Sequence, residues 1–504
     1  MSTNKSATIM LPWVLEACPG LWLRWVLAWG LGLSTGLSAD NFPRVKQSPP
    51  EIEHYKRLER TLTLLSKSTP NRRHTVRILY YGHAFSDPLW WTNFVAYLGR
   101  SYPDARIIAE NRALNRHRTE QIIRLAESEL YPFRPDLVVL STVGHSLELK
   151  RFTEQLKERT AADVLLLTDI VRTPDQVIEP TDPKVIIGNP ATFKVNPTNW
   201  PAWYNNVWIP KLADDYGISY VDIRAGVKSF IRENHLEPSQ LLVSNFLLTG
   251  LGHHVVGELM KPRFELPSNT VPFDPWDNAK VSTYEIPRDA AWQGNRLRLE
   301  FTGNRIEFVL NGIASSELMI QLNGMRPSEI PELRIAGRPS NIPGSPWPAL
   351  LRAGRVANLL DEDWTANVTD VTTNVNGKVE FKFSLSGTKT GPDGEGSSEF
   401  DFLSKSHRVL LQTADWNLEY ASESLRTYLP SSFQIKWPVL QLSRDQVKAG
   451  DKPESNLEDV LPIANGLENR RHVLELIAEG GAPKWLRAIR VYRPSSNFSK
   501  KKGR

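Results

Sequence analysis

Five short, nearly unbroken apolar runs alternate with helical patterns between Val76 and Arg263, and no other feature of this 504-residue chain restricts its fold as strongly. The runs lie at Val76 to Tyr80, Arg106 to Ala109, Leu137 to Ser141, Val164 to Thr168 and Ile218 to Ile223. Apolar residues recur at helical spacing over Trp91 to Ser101, Thr119 to Leu130, Leu149 to Arg159, Trp203 to Tyr216 and Gly252 to Lys261. A strand that is apolar on both faces must be covered on both faces, so the alternation predicts a three-layer α/β domain around a parallel sheet. Ligands and nucleophiles in such folds sit at the carboxyl ends of the strands. The Pro-rich segment Arg172 to Pro201 shows no clear element and is expected to loop over those ends.

The pattern changes near Phe264. Leu297, Leu299 and Phe301 alternate with charged residues, and Gly303-Asn304 precedes Ile306, Phe308 and Leu310, which predicts a hairpin. Further strands are expected at Glu317 to Leu322, Val379 to Leu385, His407 to Leu411, His472 to Ile477 and Leu486 to Tyr492, with Asn323-Gly324 and Asn376-Gly377 as turns. This half reads as an all-β sandwich or jelly-roll domain. Upstream, Ile52, Tyr55, Leu58, Leu62 and Leu65 predict an amphipathic helix over Glu51 to Ser66 lying on the main domain. The expected organisation is therefore a signal peptide or membrane anchor at 1–39, a linker with that helix at 40–74, the α/β domain at 75–263, the β domain at 264–494 and a basic tail at 495–504.

Composition narrows the function classes. Hydrophobic content of 40% with 23% charged residues describes a globular chain able to bury a core in each domain. The net charge of +5 is small for this length, and Lys500, Lys501, Lys502 and Arg504 supply most of it from the tail. A nucleic-acid binder needs basic residues clustered within its fold, so nucleic acid is not an expected partner. Cys18 is the single cysteine, which excludes an internal disulfide. Arg24, the apolar run Trp25 to Leu33 and the small residues Gly36, Ser38 and Ala39 have the layout of an export signal cut near Asp40. A retained membrane anchor is the competing reading, and the membrane is expected as a partner only through this segment.

Tyr80-Tyr81-Gly82-His83-Ala84-Phe85-Ser86-Asp87, at the end of the first strand, resembles the opening block of the SGNH (GDSL-type) hydrolases, with Gly82, Phe85 and Ser86 in matching places. The resemblance extends over residues 75–262 through Glu110-Asn111-Arg112-Ala113, Tyr131-Pro132-Phe133, Pro135-Asp136-Leu137-Val138, Glu158-Arg159-Thr160 and Tyr220 to Ala225. It is closest to one bacterial branch, whose trailing β domain is similar to this one at Gly391 to Gly396 and Ala464 to Leu467. It implies a flavodoxin-like sheet and no cofactor. In that family a serine attacks an ester carbonyl, a Gly N–H and an Asn side chain stabilise the oxyanion, and a late Asp-x-x-His supplies the base and its orienter.

Carried onto this chain, the resemblance puts Ala84 at the nucleophile, Asn115-Arg116 where the oxyanion Gly belongs, Ser146 at the Asn, Ser244 at the Asp and Leu247 at the His. Loss of the nucleophile or the base alone costs about 10⁶ in turnover in a serine hydrolase. The expectation is a catalytically inactive SGNH-like protein that binds a glycan or acylated polysaccharide at the cell envelope, exported to the periplasm or cell surface. Two alternatives stand beside it: an active O-acyl esterase with relocated residues, Ser86 with His83, His145 or His253 as base, and a structural or assembly subunit.

Each remaining candidate has a plainer reading. Ser86 at a helix start is a natural cap. His83, His117, His145 and His253 with Asp87 show no ligand spacing on one element and read as core or surface histidines rather than a metal site. Asp169 and Asp222 fit turn caps. Asp393, Glu395 and Asp401 suggest either a calcium loop or ordinary turn chemistry. Trp347, Trp364, Trp416 and Trp437 fit a β core better than a sugar-stacking platform.

Overall fold

The structure, a computed structural model, describes residues 42–47, 51–83, 89–180, 182, 186, 200–244, 247–266, 273–452 and 460–495. The N-terminal apolar segment and nearly all of the basic tail lie outside these. No helix among the described residues is long and apolar enough to cross a membrane. The described residues from Arg44 onward form one compact unit.

Five parallel strands, β1 (Thr75–Gly82), β2 (Arg106–Asn111), β3 (Leu137–Ser141), β4 (Asp163–Leu167) and β5 (Ser219–Val221), lie in the order β2-β1-β3-β4-β5. All five apolar runs fall on these strands within two residues. β3 and β4 are buried along their whole length, as strands with both faces covered must be. Two cores flank the sheet. One joins Ile78, Tyr80, Val139 and Leu165 to Trp90, Phe94, Val227 and Val256; the other joins Leu79, Tyr81, Val138 and Leu166 to Ile122, Phe152 and Leu212.

The fifth strand is shorter than its run. β5 stops at Val221 because Asp222 caps a helix, its carboxylate accepting from the Ala225 N–H at 2.9 Å. The following helix, Ile223–Glu233, is not among the expected elements, although Ile223, Val227, Phe230 and Ile231 recur at helical spacing. Upstream, the segment from Glu51 forms two helices, α1 (Ile52–Arg57) and α2 (Glu59–Ser66), broken at Leu58. α2 lies on the domain as expected. The Thr61 N–H and hydroxyl both donate to Asp163 at 2.9 Å, and buried Arg60 pairs with Asp136 at 2.7 Å.

The C-terminal half contains antiparallel sheets. Six strands pair in the order β18 (Gln446–Val447), β10 (Leu318–Leu322), β19 (Val460–Ala478), β9 (Arg296–Leu310), β20 (Leu486–Tyr492) and β8 (Val281–Glu285), and five in the order β11 (Arg334–Ala336), β17 (Phe433–Gln441), β12 (Asp363–Thr373), β13 (Val379–Gly387) and β14 (Gly391–Ser397). Each of these sheets has its own core, Leu299, Phe308, Leu474 and Ile489 in the first, Trp364, Phe383, Ile435 and Trp437 in the second. Asn376-Gly377 does turn between β12 (Asp363–Thr373) and β13 (Val379–Gly387). Gly303-Asn304 does not turn. β9 runs straight from Arg296 to Leu310 beside β19 (Val460–Ala478) and β20 (Leu486–Tyr492). Gly303 is there because a Cβ would collide with the Tyr492 carbonyl oxygen of β20. From Gly303 onward every residue of β9 is buried, and Asn304 donates to the Arg159 carbonyl of the α/β half at 2.9 Å.

Candidate functional site

The strand order reverses at β1, between β2 on one side and β3 on the other, which makes the crevice beyond the carboxyl ends of β1 and β3 the natural ligand position. The floor of that crevice is unusually close-packed. Gly82 has φ +119°, and a Cβ on it would overlap the Ser141 carbonyl oxygen at the end of β3. The next N–H, of His83, donates to the same oxygen at 2.6 Å. On the β2 side, the Leu114 N–H donates to the Gly82 carbonyl at 2.8 Å, which brings the Asn115 turn up to the end of β1. Gly144, φ +141°, closes the β3 side, where a Cβ would lie 2.6 Å from Glu120 Oε2.

Gly82, His83 and Asn115 therefore do converge. His83 is buried, and its Nδ1 lies 2.9 Å from the His117 carbonyl oxygen. Burial holds its imidazole below the ordinary histidine range, against the attraction of Asp169. Asp169 is committed to Arg172 in a two-pronged ion pair; burial alone would raise its pKa, but that pairing holds the carboxyl below its usual range. Asp222 is the helix cap described above, with burial raising its pKa.

His117 is engaged at both ring nitrogens. Nε2 lies 3.3 Å from the Asn417 amide nitrogen, and Nδ1 lies 3.1 Å from the Asn115 carbonyl oxygen. The same Asn417 nitrogen donates to the Pro348 carbonyl at 2.8 Å, which fixes it as the amide donor. His117 therefore accepts at Nε2 and carries its proton on Nδ1. Burial pushes its pKa down to about 4. Arg116, in the left-handed region at φ 63°, donates to the Ser424 carbonyl and accepts from the Tyr420 hydroxyl through its own carbonyl. The turn that would carry the oxyanion donor is thus clamped by the C-terminal half.

The other candidates are placed apart from this convergence. Ser146 is the first residue of a helix running to Arg159, capped by His145, and is half-buried. Ser244 and Leu247 are exposed on a small hairpin pairing Leu242–Ser244 with Leu247–Leu248. His253 is buried in the helix Gly250–Met260 that follows. Ala84 and Ser86, the expected nucleophile position and its possible substitute, lie outside the described residues, as does Asp87. The Asp393 carboxylate accepts from the N–H and hydroxyl of Ser406 at 2.8 and 2.6 Å, and Asp401 accepts from the Thr413 N–H at 2.8 Å, so both acids serve turns. No cluster of three or more metal-ligating side chains occurs among the described residues. Trp364 and Trp437 are core, with Trp347 and Trp416 packed against them. What the sequence did not reveal is the partnership of His117 with Asn417, since 300 residues separate them and neither carries a local signal.

No protein-family model and no curated protein matches the chain. Among solved structures, it is similar to a two-domain esterase active on acetylated mannans, crystallised with mannopentaose, at 11% identity and a TM-score of 0.32, covering 87% of this chain and 96% of the other. An acetylxylan esterase from Geobacillus stearothermophilus is similar at 13% identity and a TM-score of 0.31, over 38% of this chain and 95% of the other. The assignment of the α/β fold rests on the strand order and register given above.

Proposed function

We propose that this chain is a catalytically silent SGNH-like protein that holds a glycan or acylated polysaccharide in the crevice at the ends of β1 and β3. The observation that carries this reading is the state of the second block. Asn115, Arg116 and His117 are tied into the contact with the C-terminal half, which leaves the turn rigid and its one imidazole neutral and occupied. Exposed Ser244 and Leu247 in place of an acid and a base support the same conclusion, because neither side chain can accept and relay a proton near neutral pH. The apolar N-terminal run, with small residues before Asp40, supports export to the periplasm or cell surface, or attachment there through that segment. The test is a glycan array probed with the full chain and with Asn115→Trp, which puts a bulky ring on the turn that lies against the end of β1. Binding of a defined glycan class, lost in the folded variant, is expected. A variant that binds the same glycans equally well would move the ligand elsewhere and leave the structural or assembly reading in its place.

A further inference from the structure

A cavity lies at the opposite edge of the parallel sheet from this crevice. It encloses about 720 Å³, a size suited to a small ligand. Its floor is the start of the α/β strands, with Arg77 near the start of β1 and Arg106 opening β2. Its roof is the six-stranded sheet, with Arg487 and Arg490 on β20 and Tyr492 beside them. The cavity thus exists only because the two halves meet.

Seven arginines line it against three carboxylates. Two of those carboxylates are already consumed. Asp136 is shared by the Arg60 guanidinium at 2.7 Å and the Arg77 N–H at 2.9 Å. Glu307 takes Nε of Arg305 at 3.0 Å and the Tyr492 hydroxyl at 2.8 Å. The third, Glu285, is half-exposed. The side chains of Arg72, Arg487 and Arg490 have no hydrogen bond or ion pair among the described residues. For the exposed Arg72 and Arg487, water suffices. Arg490 differs, because it is 7% exposed and its Nε is buried with no acceptor. Its guanidinium lies flat on the Trp276 ring, 3.5 Å from the centroid, which offsets only part of the cost of removing a cation from water.

A guanidinium whose buried Nε has no acceptor, at the back of a cavity with cationic walls, is half of a binding site. We infer that this cavity is a second ligand site, taking a ligand with two or more oxyanion groups, phosphate or carboxylate, that bridges Arg490 to Arg72 and Arg487. The planar fork of arginine matches both groups in a two-pronged geometry. The aromatic walls argue against a neutral sugar. Arg490 covers Trp276 and Arg305 sits 4.0 Å over Tyr492, so charge, rather than ring stacking, selects the ligand.

The test uses the full chain and calorimetric titration with pyrophosphate and with citrate, repeated at physiological ionic strength because surface charge attraction is screened there. Fluorescent dextran sulfate forms a third arm that separates anionic groups on a polymer from a small free anion. Saturable binding in at least one arm is expected. Arg72→Ala with Arg487→Ala, both at exposed positions, should weaken it by about tenfold or more without changing the melting temperature, and Arg490→Met should abolish it. Absence of saturable binding in all three arms would overturn the assignment. So would equal binding by the exposed-site double variant and the wild type, which would place the anion on general surface charge.

Discussion

His117 shows how one residue can be read as chemistry in a sequence and serve architecture in a fold. In the sequence it stands with His83, His145 and His253 as a candidate metal ligand whose plainer reading is a core or surface histidine; here Asn417 donates to Nε2 and the ring is buried at the junction of the two halves. Its pKa of about 4 lies below the ordinary 6.5, so above pH 6.5 neither the folded nor the unfolded chain is protonated at this site and stability is unaffected. As the pH falls from 6.5 towards 4, the unfolded chain takes up a proton that the folded one refuses. Stability should then decline by on the order of 3 kcal/mol and level off below pH 4, other groups aside. The His117 imidazole resonance, followed by NMR, should stay neutral to about pH 4; titration near 6.5 would contradict the burial and the Asn417 bond. Gly82 makes a second residue-scale claim. Gly82→Ala puts a Cβ into the Ser141 carbonyl oxygen at a positive φ and is expected to cost roughly 2–4 kcal/mol in urea unfolding.

At the scale of elements, the parallel strands were legible because strands covered on both faces must be apolar throughout, and a local run shows that. The helix Ile223–Glu233 was less so, since its start depends on Asp222 as a cap in a segment that also reads as strand. Gly303-Asn304 was misread as a turn because a glycine needed for close approach to β20 looks the same in sequence as a glycine needed for a bend. The same limit applies to the site. The candidate positions carried over from the resemblance could be named one by one, but the clamp that holds the Asn115 turn comes from residues about 300 positions away. The α2 helix gives a testable case of an element held by buried charge. Asp136→Asn leaves Arg60 buried without its counter-ion, the two side chains being 7% and 3% exposed. A loss of about 3–5 kcal/mol is expected in chemical denaturation; a change below 1 kcal/mol would mean the pair contributes little to docking α2.

Across the whole molecule, the two halves are joined by polar contacts at both edges of the parallel sheet. At the strand ends, Asn417, Tyr420 and Ser424 hold the 115–117 turn, and Arg124 reaches Asp415 at 2.6 Å. At the strand starts, Lys280 pairs with Asp163 at 3.2 Å and the arginine-lined cavity opens between the halves. This tie of the 115–117 turn to the β half is what the proposed silence of the site rests on. The most direct measurement is aryl acetate hydrolysis by the purified full chain beside Ser86→Ala. Both proteins should turn over ester no faster than buffer with an inert protein added, with no saturation. Saturable turnover by the wild type that disappears in Ser86→Ala would show a working nucleophile at the end of β1 and contradict the account.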